Sequence, residues 1–281
     1  MKRVVVIGAA GFIGSAVTHA LNTLGHDVVK ISRSEIDLQA KDADRRVYEV
    51  LKPDDYVVFA AASAPCKSVS QFEDNITMFG AFLRGIESRG VAHICYISSD
   101  AVYCDTTLKI DEQSPTCPTT LHGLMHITRE SLLSLASQST LILRPTLVFG
   151  ADDPHNGYGP NRYLRLAKNG GEIVLFGDGE ERRDHIHISD LASAAGLLIS
   201  GGHRGTWNLA TGMVHSFREL AEAAVRLGSQ QTAIVSSPRN GPMPHLGLRE
   251  FDISRLRNTL PQFQPVSAIQ RMMEDYPNYG N

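Results

Sequence analysis

The chain is poor in cysteine, and its cysteines lack the spacing of familiar site types. The 281 residues include four cysteines, and none of them forms a Cys-x-x-Cys pair or a metal-ligand pattern. They are Cys66, Cys95, Cys104 and Cys117. This argues against a disulfide scaffold and gives no metal site. We therefore expect reduced thiols in a cytoplasmic protein.

An excess of charge of one sign and long hydrophobic runs are also missing. Lys and Arg number 27 against 30 Asp and Glu, a net charge of −3, so nothing in the composition favours a nucleic-acid partner. The apolar stretch after Lys2-Arg3 imitates a signal peptide, but its glycine spacing favours strand, turn and helix. No segment approaches the length of a membrane span, so we expect no membrane partner.

What the sequence does contain is an alternation of short β-branched runs with helical patterns through its first half. This is typical of an α/β protein, here a Rossmann-type doubly wound parallel sheet with a small mixed C-terminal substrate lobe. We expect a dinucleotide-binding domain over residues 1–150, with residues 185–210 returning to it. Residues 151–184 and 211–281 are expected to form the substrate-binding lobe.

Hydrophobic periodicity and turn residues give the individual elements. The predicted strands are Val4–Ile7, Val28–Ile31, Tyr56–Ala61, Val91–Ser98, Leu141–Leu143, Glu172–Phe176 and Thr206–Leu209. The predicted helices are Ile13–Leu24, Asp42–Leu51, Asn75–Ser88, Gly123–Ala136, Tyr163–Lys168 and Ser189–Ile199.

The most specific local signal is the glycine pattern Gly8-x-x-Gly11-x-x-Gly14 between the first strand and the first helix. Glycines there permit a tight turn and let the backbone approach a pyrophosphate at the positive end of the helix. In this context the pattern favours cofactor binding over an ordinary strand-to-helix turn.

The end of the second strand indicates which dinucleotide is bound. An acid there would hold the ribose hydroxyls of NAD, whereas an arginine accommodates the additional phosphate of NADP. The chain has Ser32 and Arg33 at this point, and the first acid is Glu35. The sequence therefore favours NADP(H), with NAD(H) as the alternative.

Taken together, the motifs resemble the extended short-chain dehydrogenase/reductase family, in particular its nucleotide-sugar epimerases, dehydratases and reductases. The resemblance runs in order over nearly the whole chain. The motifs that carry it are Gly8–Gly14, Asp37-Leu38, Ala60-Ala61-Ala62, Asn75, Ile97–Tyr103, Arg144–Gly150, and Gly177-Asp178-Gly179 followed by Arg183-Asp184.

The resemblance implies a set of cofactor and substrate contacts. The implied cofactor contacts are Gly8, Gly11, Phe12, Ile13, Gly14, Asp37, Leu38, Ala60, Ala61, Ala62 and Pro145, in addition to Ser32 and Arg33. Ala60–Ala62 corresponds to the end of the family's fourth strand. The implied substrate contacts are Asp100, Tyr103, Asn161, Arg183 and Arg249. For Arg183, an ion pair with Asp184 or Asp178 is the alternative.

The implied catalytic residues are Ser99, His122 and His126, because His122-Gly-Leu-Met-His126 stands where the family has Tyr-x-x-x-Lys. The two histidines share a helix face. His122 could replace the tyrosine as acid or base, with His126 holding the cofactor ribose. Alternatively the site binds its ligands but turns over slowly or not at all. A third reading has both side chains aimed at solvent.

Two functions thus remain open. The first is epimerisation or keto reduction of a nucleotide-activated sugar by an NAD(P)-dependent enzyme, and the second is an NAD(P)-binding sensor with an impaired site. The family also implies a homodimer through the helices Asn75–Ser88 and Gly123–Ala136. An apolar stripe of Phe79, Phe82, Leu83 and Ile86 suits such a contact, although an internal core helix needs the same stripe.

Overall fold

A computed structural model gives the fold and describes residues 1–106, 108–136, 139–228 and 231–279. The chain divides into two compact units. Unit 1 comprises Met1–Cys104, Glu112–Pro145 and Ala192–Asn208, and unit 2 comprises Asp105–Asp111, Thr146–Leu191 and Leu209–Asn281. No signal in the sequence indicated that segment Asp105–Asp111 belongs to unit 2.

Strands and helices alternate through the first half of the chain as its periodicity indicates. The strands are β1 (Arg3–Ile7), β2 (Asp27–Ile31), β3 (Tyr56–Phe59), β4 (His93–Ile97), β5 (Ser139–Pro145), β6 (Leu147–Phe149), β7 (Glu172–Phe176), β8 (Arg182–His187), β9 (Gly205–Leu209), β10 (Val214–Ser216), β11 (Ala233–Ser237) and β12 (Leu248–Arg249). The helices are α1 (Phe12–Thr23), α2 (Ala43–Val50), α3 (Val69–Arg89), α4 (Leu121–Leu133), α5 (Pro160–Asn169), α6 (Ile188–Ser200), α7 (Phe217–Leu227), α8 (Ser254–Thr259) and α9 (Ala268–Asp275).

Unit 1 is built on a six-stranded sheet in the order β2-β1-β3-β4-β5-β9. The strands from β2 to β5 pair in parallel, with Ile7 of β1 between Ile31 and Phe59. The expected doubly wound parallel sheet is confirmed, and the carboxyl ends of its strands form the edge where such folds bind ligands. Ala60–Ala62 follows the third strand of this chain and not a fourth, because the segment between β2 and α2 forms turns.

The apolar stripe of α3 lies inside unit 1. Phe79, Phe82 and Ile86 are fully buried, and Phe79 and Phe82 pack against Phe59 of β3 at ring-centroid distances of 5.0 and 4.5 Å. The stripe therefore belongs to the core, as the alternative interpretation required, and it gives no support to a dimer contact.

Both α3 and α4 begin earlier than the periodicity suggested, because side chains before them cap their first turns. Ser68 accepts a hydrogen bond from the Gln71 amide at 3.2 Å, and Thr120 accepts one from the Gly123 amide at 3.1 Å. A hydroxyl acceptor at this position satisfies an amide that the helix leaves without a partner. The cap of α4 fixes the start of the helix that carries both histidines.

Unit 2 combines small sheets with helices. Strands β10, β8 and β12 form one sheet, β6 pairs with β8, and β11 pairs with β7. The core of this unit includes Phe149, Tyr163, Leu175 and Phe217. Its mixed character agrees with the expected small C-terminal lobe.

The expectation of four reduced thiols is wrong for two of the cysteines. Cys104 and Cys117 form a disulfide, whereas Cys66 and Cys95 are free and buried. The Cys104 amide also donates to the Pro115 carbonyl oxygen at 3.0 Å, which brings the two segments together. Only the folded path of the chain makes these two cysteines neighbours.

Of the helices that the structure describes, none is both long enough and apolar enough to cross a bilayer.

Candidate active site

The turn between β1 and α1 has the geometry of a phosphate cradle. Gly8 has a φ of +88°, and a Cβ on it would lie 2.7 Å from the Ala61 nitrogen. A Cβ on Gly14 would lie 2.1 Å from the Gly8 carbonyl oxygen. Gly11 is the N-cap of α1 and has no side chain to accept from its first amides. Those amides thus remain suited to binding an anion.

Above this turn lies a cavity of about 510 Å³, which is large enough for part of a dinucleotide. The predicted cofactor residues that line it are Gly8, Gly11, Ser32, Arg33, Asp37, Leu38, Ala60, Ala61 and Ala62. Phe12, Ile13, Gly14 and Pro145 do not line it. Asp74 and Met78 of α3 do, although no sequence motif indicated them.

The rim of the cavity after β2 carries charges of both signs. The Arg33 side chain is 79% exposed, and its guanidinium lies 3.5 Å from the Asp37 carboxylate. The Ser32 amide donates to the Glu35 carboxylate at 2.8 Å, and hydrogen bonds from the Ser32 side chain and amide lower the pKa of Glu35. An ionised acid thus lies beside the residues expected to bind a 2′-phosphate.

Ser99 follows β4 at the carboxyl edge of the sheet. Its Oγ accepts a hydrogen bond from the Ala101 amide at 3.2 Å and so caps the short 3-10 helix Asp100–Val102. The capping role and a catalytic role are compatible, because capping uses an oxygen lone pair and leaves the hydroxyl hydrogen to donate.

His122 lies in the first turn of α4, beside the 3-10 helix. A Cβ on Gly123 would lie 2.1 Å from the Ala101 carbonyl oxygen, so only glycine permits this close approach. The His122 ring is half-buried, and its Nδ1 accepts from the Cys66 amide at 3.4 Å. Burial lowers the pKa of His122, the Arg129 charge adds to this effect, and the Asp100 charge opposes it. His122 is therefore neutral around neutral pH.

His126 lies one turn further along α4 and is only 5% exposed. Its Nδ1 lies 2.7 Å from the Tyr96 hydroxyl, and its ring meets that of His122 edge-on, with centroids 4.7 Å apart. Burial lowers the pKa of His126 well below the usual value, and the nearby His122 and Arg129 add to this shift. The interpretation of two histidines aimed at solvent is wrong.

A buried arginine, which no pattern in the sequence indicated, completes this region. The Arg129 guanidinium donates to the backbone carbonyl of Asn75 at 2.6 Å and to that of Ala61 at 3.0 Å. It also lies over the rings of Phe59 and Phe79. Within the described ranges, no carboxylate forms an ion pair with Arg129. A charged residue at mid-helix gives no sequence signal of such burial.

A second buried group ties α4 to β5. Glu130 accepts from Arg144 at 3.0 Å and from the Ser98 hydroxyl at 2.5 Å, beside Ser99. The Arg144 guanidinium in turn lies over the Tyr103 ring, at 4.7 Å from the ring centroid. These contacts hold the end of β4 against α4.

Of the two predicted substrate contacts in unit 1, Asp100 acts on His122. Asp100 is buried, and its charge acts on His122. The Tyr103 hydroxyl donates to Asn208 at 2.7 Å, and its ring is buried. The role of Tyr103 in substrate binding stays a prediction that this geometry does not support.

In unit 2, Arg183 and Arg249 are both largely buried. Arg183 forms an ion pair with Glu181 at 3.0 Å. The alternative expected from the sequence was an ion pair with Asp184 or Asp178. The Asp184 carboxylate instead accepts from the Gly212 amide at 2.7 Å and from the Thr211 amide. Arg249 donates to His245 at 3.0 Å and lies 3.5 Å from Asp105.

Asn161, the remaining predicted substrate contact, lies in a network within unit 2. Its Oδ1 accepts from the Gly150 amide at 2.9 Å and from the Tyr279 hydroxyl at 2.6 Å, and its amide nitrogen donates to Asp153. These bonds fix the start of α5. Contact with a nucleotide stays a prediction for this residue.

Two further arrangements bear on the chemistry. Tyr48 and Lys52 have Tyr-x-x-x-Lys spacing, but Tyr48 lies on α2 with Arg89 over its ring, and Lys52 lies beyond the end of α2. They do not replace the histidine pair. In the part of the chain that the structure describes, no three His, Cys, Asp or Glu side chains come together as a metal site.

Sequence similarity to known proteins points to the same type of protein as the site residues. Residues 4–210 match the model of a family described as "NAD dependent epimerase/dehydratase family". The chain is similar to a UDP-glucose 4-epimerase of Azospirillum brasilense, with 29% identity over 96% of this chain and 90% of that protein. It is also similar to a dTDP-4-dehydro-6-deoxy-D-allose reductase of Streptomyces bikiniensis, with 27% identity over 94% and 92%.

Among solved structures, the chain resembles the UDP-glucose 4-epimerase of Thermus thermophilus in complex with NAD. The TM-score is 0.86 at 22% identity, and the match covers 99% of this chain and 98% of that chain. At this identity the likeness shows the fold alone.

Proposed function

This chain belongs to the NAD dependent epimerase/dehydratase family, and from that premise we propose that it epimerises or reduces a nucleotide-activated sugar with His122 in the tyrosine position. Unit 1 would bind the cofactor over Gly8–Gly14 and in the adjoining cavity. The observation that carries the proposal is His122 itself, a neutral and half-buried imidazole on the capped first turn of α4, next to the 3-10 helix that Ser99 caps.

The hydrogen-bond partner of His122 determines what the ring can do. Because Nδ1 accepts from the Cys66 amide, the hydrogen of neutral His122 lies on Nε2. Nε2–H and the Ser99 hydroxyl are two donors for charge that develops on a sugar oxygen. When bound, the nicotinamide supplies or accepts the hydride. Taking a proton from a sugar hydroxyl requires the other tautomer, so the observed contact favours the reductive direction. In that direction His122 and Ser99 stabilise the developing alkoxide by hydrogen bonding, and solvent supplies its proton, because a neutral imidazole that gave up Nε2–H would become an imidazolate.

The substrate side of the proposal rests on unit 2. Arg183 and Arg249 are its candidate phosphate ligands, because guanidinium groups bind phosphate with paired hydrogen bonds. Both are already held by neighbouring side chains in the folded chain, Arg183 by Glu181 and Arg249 by His245 and Asp105. A diphosphate would compete with these acids.

For the cofactor we propose NADP(H), with NAD(H) as the alternative. The exposed Arg33 guanidinium at the cavity rim supports binding of an additional phosphate, since its contact with Asp37 is long. Glu35 and Asp37 weigh against it, because their carboxylates repel a phosphate and suit ribose hydroxyls.

Turnover is tested with UDP-glucose, the substrate class named for one relative, and with a nucleotide 4-keto sugar plus NADPH or NADH. Product is followed by NMR and cofactor oxidation by absorbance. We expect activity in the unmodified chain and a loss of about a hundredfold or more in His122→Ala. His19→Ala, which removes an exposed histidine of α1, is the matched control and should retain activity.

The second candidate is an NAD(P)-binding sensor with an impaired site. It is favoured by the burial of His126, whose Nδ1 is engaged by Tyr96. Under this function the unmodified chain shows no turnover, His122→Ala changes nothing, and a nucleotide sugar still binds in calorimetry. Those three results together would replace the enzymatic proposal.

A further inference from the structure

Tyr96 is a buried tyrosine whose hydroxyl faces His126 and Arg129. It is the fourth of the five residues of β4 and is fully buried among Phe59, Phe79 and the other core side chains. The hydroxyl lies 2.7 Å from the Nδ1 atom of His126. The Arg129 guanidinium also interacts with the hydroxyl, but a guanidinium can only donate. A buried hydroxyl hydrogen without an acceptor is costly, so this hydrogen points to His126.

The direction of this bond follows from the state of the tyrosine. Burial raises the pKa of Tyr96, so the hydroxyl keeps its hydrogen around neutral pH. The hydroxyl then donates and Nδ1 accepts. A neutral imidazole carries one hydrogen, and with Nδ1 as the acceptor that hydrogen lies on Nε2.

The surroundings also keep His126 uncharged. The titratable and charged groups facing this region are His122, Arg129 and Glu130 on α4, Tyr96 on β4, and Cys66 in the loop before α3. Arg129 is buried and hydrogen-bonds carbonyl oxygens, so its positive charge opposes a second cation on the ring. Glu130 is already paired with Arg144.

We propose that Tyr96 is a positioning residue that holds His126 as the neutral tautomer with its hydrogen on Nε2. His126 then offers one directed donor at the position where the family has a lysine ammonium with three donors. The tautomer itself depends on no assumption about turnover. Only the use of that donor, a hydrogen bond to the cofactor ribose, rests on the proposed function.

The test is the ¹⁵N spectrum of the histidine rings in the unmodified chain without added cofactor. Loss of one set of signals in His126→Gln identifies His126 among the 11 histidines. We expect Nδ1 of His126 to be pyridine-like and Nε2 to be pyrrole-like from about pH 6 to 8, with no titration in that range. A pyrrole-like Nδ1, or a charged ring at about pH 7, would overturn the proposal.

The variant Tyr96→Phe removes the hydroxyl and keeps the ring. We expect Nδ1 to lose its donor, so that both tautomers of His126 become populated. The matched control is Tyr103→Phe, which removes another buried hydroxyl, the one that donates to Asn208, and should leave the His126 signals unchanged. An unchanged His126 spectrum in Tyr96→Phe overturns the proposal. If that variant does not fold, the spectrum of the unmodified chain still decides.

Cofactor affinity separates this inference from the proposed function. We expect Tyr96→Phe to weaken NAD(P) binding about threefold to tenfold, the effect of losing one directed hydrogen bond. If Tyr96→Phe leaves the NAD(P) affinity unchanged while the spectra are as expected, the hydrogen bond from His126 to the ribose is refuted and the tautomer assignment still holds. Failure of turnover in the unmodified chain would leave the spectroscopic result unaffected.

Discussion

At the scale of single residues, the protonation state of His122 determines how activity depends on pH. Burial lowers the pKa of His122 from 6.5, so the ring is neutral at pH 7. If the neutral ring is the active form, kcat/KM rises with pH through a midpoint below 6.5 and then stays level. A profile that falls as pH rises through neutrality would show that the imidazolium is required.

Arg33 determines the preference between the two dinucleotides. Arg33→Ala should weaken NADP(H) binding about tenfold or more and change NAD(H) binding less than about twofold, because only NADP carries the 2′-phosphate. Arg45→Ala, at another exposed arginine, is the control. Equal affinities for the two cofactors in the unmodified chain, measured by calorimetry, would contradict the NADP assignment and leave the fold untouched.

Buried neutral histidines make the fold sensitive to acid. Burial, aided by the charges of Lys2 and Arg204, lowers the pKa of His93 to about 4. Between about pH 6.5 and 4 the unfolded chain binds a proton at this residue and the folded chain does not. The free energy of unfolding therefore decreases as the pH is lowered through this range. The loss should reach at most about 3 kcal/mol, measured by urea unfolding. His93→Gln should reduce this dependence; an unchanged slope would contradict the assignment.

At the scale of elements, the Cys104–Cys117 disulfide closes a loop within the segment that joins β4 to α4. Thiol titration of the denatured chain without reductant should detect Cys66 and Cys95 only, and reduction should expose all four cysteines. Reduction should also lower stability by roughly 3 kcal/mol or less, as for a short closed loop. Cys104→Ser should show the lower melting temperature with or without reductant. Four thiols before reduction would contradict the bond.

The sequence identified elements with local signals and missed contacts between distant segments. The turn at Gly8–Gly14 could be predicted because its glycines meet local backbone requirements that other residues would not meet. The apolar stripe on α3 could be predicted from the periodicity of its residues. Tyr96 and His126 meet only because α4 packs on β4, and Arg129 is buried by the loops around Ala61 and Asn75. Neither contact leaves a pattern in the residues next to it. The same is true of Cys104 and Cys117.

At the scale of the whole molecule, assembly is still a prediction. The apolar stripe of α3 is buried in the core of unit 1. A dimer contact through α3 and α4 must therefore use exposed residues of these helices, among them Val69 and Leu124. We expect light scattering to give a dimer at micromolar concentration and Leu124→Glu to weaken it, because a carboxylate is costly to bury. Leu135→Glu, at an exposed leucine beyond the end of α4, should not. A monomeric unmodified chain would refute the prediction.

The hydrogen bond from the Cys66 amide to His122 has a consequence for how this site can change over generations. The donor is a peptide N–H, so every replacement of Cys66 except proline retains it. The tautomer of His122 therefore depends on the position of the main chain at residue 66 and not on the side chain there. His126 has no such protection, because one replacement of Tyr96 removes its partner. Replacements that fit the buried space of Cys66 should accordingly leave the state of His122 unchanged, whereas replacement of Tyr96 should be selected against.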